Sequence, residues 1–156
     1  MSVDLASILD EYEGEDLTIA TACSHTSLQI FNGARREGLK TVGLAVGEEP
    51  RHYDAFPLAK PDEFLVADTW PELADMADEL LERNAIIVPH GSFVEYMGAE
   101  RYAKMEVPMF GNRHILEWES DRNMERKWLT EAGLRVPPVL EDPREIVRPV
   151  IVKYHG

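Results

Sequence analysis

The sequence holds a single cysteine, Cys23, so no intramolecular disulfide can form, and no Cys or His pair has the spacing of a zinc finger or knuckle. Disulfide-stapled and zinc-built scaffolds are thereby excluded. No apolar run approaches the roughly 20 residues that span a bilayer, and the start, MSVDLASILDEYEGED, carries acidic side chains where a secretory signal carries basic ones. A soluble, cytoplasmic protein is expected. Positive charge is scarce: 16 Lys and Arg stand against 29 Asp and Glu, a formal charge of −13. Such a surface repels nucleic-acid polymers and anionic membranes, so neither is an expected partner, and an anionic ligand must find a local set of donors. What is present, 156 residues with 44% hydrophobic composition, suffices for one sizeable core.

Hydrophobic periodicity supplies the organisation. Val3 to Tyr12 places Leu5, Ile8 and Leu9 on one helical face, and Leu17 to Thr21 reads as a strand. Leu28, Phe31 and Ala34 then recur at helical spacing, Gly38 offers a helix C-cap, and TVGLAV follows as a second strand. A third strand is expected at Glu63 to Ala67. The segment WPELADMADELLERN reads as one helix, with Pro71 in its first turn and Leu73, Met76, Leu80 and Leu81 turned inward. Ala85 to Pro89 is apolar on both faces, as a central parallel strand covered by helices would be, and Val107 to Phe110 reads as a further short strand before helical text through Trp118. Strand, turn and helix repeat without hairpin signals, which argues an α/β fold with a Rossmann-like open parallel sheet. From Asp121 a helix with Met124, Trp128 and Leu129 on one side runs to Gly133, and a proline-rich connector leads to an apolar strand, Pro149 to Tyr154. A buried-looking strand stopping at Gly156 predicts a truncated chain.

In an open α/β sheet, ligands bind beyond the carboxyl ends of the strands, where helix N-termini present free N–H groups. Three polar turns fall there. The first is Ser24-His25-Thr26-Ser27, where the backbone N–H groups and hydroxyls of Thr26 and Ser27 and the His25 ring suit a phosphate; Thr26 and Gln29 also have capping-box spacing, so a plain capped turn is the competing reading. The second is His90-Gly91-Ser92, where Gly91 allows close backbone approach and Ser92 can donate and accept, unless Gly91 merely makes the turn and His90 packs beneath it. The third, Phe110-Gly111-Asn112-Arg113, offers an amide and a guanidinium, unless Arg113 simply pairs with Glu117 at i,i+4. Cys23 beside His25 hints at a cysteine-dependent hydrolase, but no third orienting group is evident and a packed thiol is expected. The Glu117/Glu119 and Asp75/Asp78 pairs lie on acidic helical text and are assigned no chemistry.

Four strings, TIATACSHTSLQIFNGARREG, IIVPHGSFVEYMG, VPMFGNRHILEWESDRNMERKWLTEAGLRVP and VIVKYHG, resemble in order and spacing the N-terminal part of the archaeal formate-dependent 5-formaminoimidazole-4-carboxamide ribonucleotide synthetases. The resemblance covers nearly the whole chain. It implies an ATP-grasp ligase of purine biosynthesis that uses ATP and Mg²⁺ to join formate to 5-aminoimidazole-4-carboxamide ribonucleotide. Residue by residue, it implies that His25 and Ser92, with Thr26, Ser27 and Gly91 around them, contact the nucleotide substrate, and that Lys153 contacts ATP phosphates. It also implies a Rossmann-like pre-ATP-grasp domain over 1–120 and the beginning of an ATP-grasp domain over 121–156.

The family's glycine-rich loop, adenine pocket and acidic Mg²⁺ ligands have no counterpart in these 156 residues. No metal ligand is named here, and the segment alone is expected to be inactive in ligation. The alternatives are a non-catalytic module that binds a phosphorylated metabolite, or a paralogue acting on another carboxylate and amine. Exposed apolar text around Pro149 to Tyr154 predicts self-association into a homo-oligomer.

Overall fold

A computed structural model describes residues 16–140 and 142–152. The expected helix over Val3 to Tyr12 and the residues from Lys153 onward lie outside them. Strands β1 (Thr18–Ala22), β2 (Lys40–Val46), β3 (Glu63–Ala67) and β4 (Ala85–Ile87) form one parallel sheet in the order β3-β2-β1-β4. Helix α1 (Ser27–Arg36) joins β1 to β2, a loop with a short 3-10 turn at Arg51–Ala55 joins β2 to β3, and α2 (Trp70–Asp75) and α3 (Ala77–Leu81) join β3 to β4. Beyond β4 come α4 (Gly91–Met97), α5 (Ala99–Lys104), α6 (Ile115–Ser120) and α7 (Arg122–Glu131). The α/β architecture matches the sequence reading.

Register explains the core. Ala20 pairs with Val42 and Ile87, Ala22 with Leu44, and Leu44 with Leu65, so alternate residues of every strand share one face. That face packs against Leu73, Leu80, Phe93, Met97 and Tyr102 from α2 to α5. Full burial of each large apolar side chain stabilises the fold by about 1.5–3 kcal/mol. The intervening residues, including Thr21, Gly43 and Phe64, line the opposite face, where Phe31 and Ala34 of α1 and Tyr53 of the β2–β3 loop are buried.

Four expectations are corrected. The helix expected over residues 70–84 is two helices, broken at Met76. Glu72, Asp75, Asp78, Glu79 and Glu82 stand three and four residues apart there, and like charges at that spacing oppose an unbroken helix. Leu73 and Leu80 still reach the core, whereas Leu81, expected inward, is exposed. The strand expected over Val107 to Phe110 is reduced to one parallel bridge between Ile87 and Met109, flanked by Ile87 N–H to Pro108 O (2.9 Å) and Phe110 N–H to Ile87 O (2.8 Å). Pro108 has no N–H to extend a ladder, and β4 has only three residues to pair with.

The fourth correction concerns the chain after residue 121. Helix α7 forms as expected, with Gly133 at φ +77° closing it through Leu134 N–H to Leu129 O (3.0 Å), but it buries no residue and Trp128 is exposed. Residues 149–152 of the last expected strand form no ladder, because no strand among the described residues lies beside them.

Gly43 is the tightest point of the sheet. A Cβ there would lie 2.8 Å from Pro61 Cγ, 2.9 Å from Cys23 Sγ and 3.0 Å from Phe64 Cδ1. Gly43→Ala is therefore expected to lower unfolding stability by about 1–3 kcal/mol through overpacking, read as a lower urea midpoint at unchanged slope.

Candidate functional site

From β1 the chain winds outward through β2 to β3, then crosses back to place β4 on the other side of β1. The crossovers to left and right part at the carboxyl ends of β1 and β4, leaving the crevice where open α/β sheets hold ligands. The turn after β1 and the turn after β4 border it. Thr21 Oγ1 donates to Val88 O (2.6 Å) and Val88 N–H to Ala20 O (2.8 Å), so the two strand ends are tied together just before the turns begin.

His90 carries that tie into the second turn. As N-cap of α4 it accepts the Phe93 N–H on Nδ1 (3.3 Å), which leaves Nε2 to donate to Ala22 O, 2.9 Å away. The imidazole is thus a strut between the end of β1 and the start of α4, the packed role weighed for it in the sequence. Gly91 and Ser92 follow directly at the N-terminus of α4, with Gly91 exposed and Ser92 half-buried. A Cβ at Gly91 would meet nothing within 4 Å, so close approach here is open.

The first turn differs from its expected form. Thr26 is already helical (φ −72°, ψ −34°) and its side chain makes no capping bond, so the Thr26–Gln29 box does not form. A reciprocal arrangement occurs instead at α2, where Thr69 Oγ1 accepts Glu72 N–H and Glu72 Oε2 accepts Asp68 N–H. At the first turn Ser24 Oγ accepts the Thr26 N–H (3.1 Å), which takes that donor out of the set expected for a phosphate. The Ser27 hydroxyl is also withdrawn: it is fully buried, donates to Ser24 O (2.7 Å) and lies 2.5 Å from the Tyr53 hydroxyl. His25 is exposed and Thr26 half-buried, and these two supply the turn's outward side chains.

The third turn does not offer its guanidinium. Arg113 donates from Nη1 to Met105 O (2.7 Å) and from Nη2 to Val107 O (2.9 Å), so it clamps the loop before the Met109 bridge, and the expected Glu117 pair is absent. Two carbonyls held by one planar fork are a better partner than a mobile carboxylate one helical turn away. Asn112 Oδ1 accepts His114 N–H (3.0 Å). Among the described residues no group of three or more His, Cys, Asp or Glu is arranged to hold a metal ion. Lys153 lies outside the described residues.

Sequence reasoning missed Tyr53, which sits in a loop with no periodic signal yet reaches beneath the first turn. Burial pushes the neighbouring Cys23 thiol up to about 12, offset only in part by its hydrogen bond with the Tyr53 hydroxyl. A thiol so held is protonated at neutral pH and is no nucleophile, which removes the basis of a cysteine-dependent hydrolase. Because its ordinary value is 9.0, the stability gained from keeping it neutral is complete below pH 9 and is lost as pH rises toward 12. Iodoacetamide at pH 8 is expected to leave Cys23 unmodified in the folded protein and to alkylate it in urea, as mass spectrometry of the intact chain will report.

Residues 19–140 match the family described as Protein of unknown function (DUF1246). The 5-formaminoimidazole-4-carboxamide-1-(beta)-D-ribofuranosyl 5'-monophosphate synthetase of Methanococcoides burtonii is 57% identical over 152 residues, which cover 97% of this chain and 42% of that protein. The crystal structure of the IMP biosynthesis protein PurP from Thermococcus kodakaraensis has a TM-score of 0.65 at 35% identity, covering 80% of this chain and 40% of the other. N5-carboxyaminoimidazole synthetase from Staphylococcus aureus, complexed with ADP, shares the fold with a TM-score of 0.60 at 18% identity, over 78% of this chain and 31% of that one. The chain thus spans about two fifths of the length of the curated relatives it matches. With the match running through both polar turns and the helices that follow them, the chain belongs to the DUF1246 family and matches the N-terminal part of the archaeal synthetases.

Proposed function

We propose that this chain is the substrate-side part of an ATP-dependent ligase that formylates 5-aminoimidazole-4-carboxamide ribonucleotide with formate in purine biosynthesis. The observation that carries the reading is the meeting of two polar turns at the β1/β4 crevice of a chain 57% identical to a synthetase so named. In such a ligase ATP phosphorylates formate, because a carboxylate oxygen is a poor leaving group and phosphate a good one. The 5-amino nitrogen then attacks the formyl carbon, phosphate departs with the former carboxylate oxygen, and the amine loses a proton.

Residues of this chain have the simpler task of holding the ribonucleotide. The exposed His25 imidazole and the half-buried Thr26 hydroxyl of the first turn would contact it from one side, and half-buried Ser92 with the open backbone at Gly91 from the other. Hydroxyls and N–H groups suit a phosphate monoester and need no lysine. Ser27 serves from beneath, as part of the turn's frame. ATP and Mg²⁺ would be held elsewhere in the longer protein, with Lys153 as this chain's one contribution to ATP. A division near residue 120 belongs to this reading; among the described residues, α7 and the segment after it contribute no buried side chain. The same geometry would serve a paralogue with another carboxylate, because nothing in these turns selects the acid.

Calorimetric titration with the ribonucleotide and, as control, its unphosphorylated riboside tests the assignment. Binding that depends on the phosphate is expected, and His25→Ala is expected to weaken it by roughly tenfold, the worth of one hydrogen bond to a charged group, at unchanged thermal stability. Binding indifferent to the phosphate refutes the assignment of these turns. Lost stability at unchanged affinity makes His25 a structural residue.

A further inference from the structure

We propose that Tyr53 is the positioning residue of the candidate site: its hydroxyl fixes the Ser24–Ser27 turn in the shape that presents His25 and Thr26 to a ligand phosphate. The inference rests on the phosphate-binding reading given above and assigns the turn's shape to a residue remote in sequence.

Tyr53 comes from the β2–β3 loop and is fully buried. Its ring lies edge-on to Phe31 and Phe64, with centroids 5.9 and 5.7 Å away, and against His52 at 4.2 Å. These contacts need only a phenyl ring. The hydroxyl does something separate, and its hydrogen bonds balance. Ser27 Oγ and Tyr53 Oη are hydrogen-bonded at 2.5 Å, both hydroxyls reach Ser24 O (2.7 Å from Ser27, 3.1 Å from Tyr53), and Ser24 N–H is shared between Ser27 Oγ (3.0 Å) and Tyr53 Oη (3.1 Å). Both backbone polar groups of Ser24 are thereby consumed below the turn, while Ser24 Oγ takes the Thr26 N–H. Every donor in the ring has an acceptor, which leaves the turn one conformation.

A buried hydroxyl contributes little net stability, since its desolvation offsets most of the hydrogen bond. A phenylalanine would fill the same space. What the hydroxyl adds is order in residues 24–27, and the side chains which that turn leaves exposed or half-exposed are His25 and Thr26. Pre-ordering the turn lowers the entropic cost of binding, so its loss shows in affinity more than in folding.

The test compares the full-length protein with its Tyr53→Phe and Ser27→Ala variants, by calorimetric titration with 5-aminoimidazole-4-carboxamide ribonucleotide and its riboside, and by hydrogen exchange at the amides of residues 24–28. Tyr53→Phe is expected to keep the ring packing, to speed exchange in that turn selectively, and to weaken ribonucleotide binding by roughly tenfold while riboside binding stays the same. Ser27→Ala, which leaves the ring packing untouched, is expected to do the same, and the double variant to be no worse than either single one, because both break one network. Unchanged affinity with unchanged exchange in Tyr53→Phe overturns the proposal, as does a general rise in exchange across the sheet. Phosphate-independent binding by the unmodified protein instead overturns the reading on which the ligand half rests, and the exchange comparison then decides alone whether Tyr53 shapes the turn.

Discussion

Ala22 O ends β1, and the proton it receives from His90 Nε2 joins the two halves of the crossover at the point where they part. That bond carries the tie between the strand ends into the turn that opens α4. With it, the turn after β1 and the first turn of α4 share a frame whose other members are the Thr21–Val88 and Val88–Ala20 bonds. The apolar layer below enforces the same geometry from the side, since Ala20, Ala22 and Ile87 present small or branched side chains to Phe93 and Met97 of the helix that His90 caps. Packing sets the height of α4 over the sheet, and the imidazole sets its start. On the proposed reading, a ligand in the crevice would meet donors whose spacing is settled before it arrives, which lowers the entropic cost of holding it.

The two faces of the sheet contribute differently to this arrangement. One is an ordinary hydrophobic layer beneath α2 to α5. The other carries α1 and the β2–β3 loop, and in its middle Gly43 lets Pro61, Cys23 and Phe64 close to distances that exclude any side chain. That close approach brings the loop, and so Tyr53, against the first turn. A single small residue in the centre of β2 is thus upstream of the hydrogen-bonded ring around Ser24. The half-buried Cys23 thiol belongs to the same set, as a small filler beside Tyr53 whose reactivity is suppressed by desolvation.

Elements carried by one strong periodicity were legible in the sequence. β3 falls on Glu63–Ala67 as expected, and α1 and α7 end at glycines that adopt positive φ. The polar turns were legible by position too, because strand-turn-helix grammar puts them on one edge of the sheet whatever the detail. Detail failed where a competing bond existed that spacing does not record. Thr26 lost its capping role to Ser24, and Arg113 exchanged Glu117 for two loop carbonyls. Tyr53 lay beyond reach because its partners are 26 and 29 residues away, and no local pattern marks a loop residue that inserts beneath another loop. The strand expected after Pro149 had the right composition, but a strand exists only beside another, and composition does not carry the neighbour.

The acidity of the chain fits a local phosphate site. A formal charge of −13 repels any anion at long range, yet beyond about 10 Å that repulsion is screened at 0.1 M salt, whereas hydrogen bonds at the crevice act at contact. Much of the scarce positive charge is already committed: Arg35 to Asp62, Lys40 to Asp16, Lys60 to Asp54 and Arg83 to Glu63, with Arg113 turned to the backbone. Several of these pairs lie at the amino ends of the strands, around Asp16, Lys40, Glu63 and Arg83. A site built from hydroxyls, an imidazole and backbone N–H groups discriminates by geometry, because each donor accepts only a partner placed along its axis. A lysine would attract any anion in the cell. On the proposed reading, the shape of the turns, and hence the hydroxyl beneath them, would decide which phosphate ligand is held.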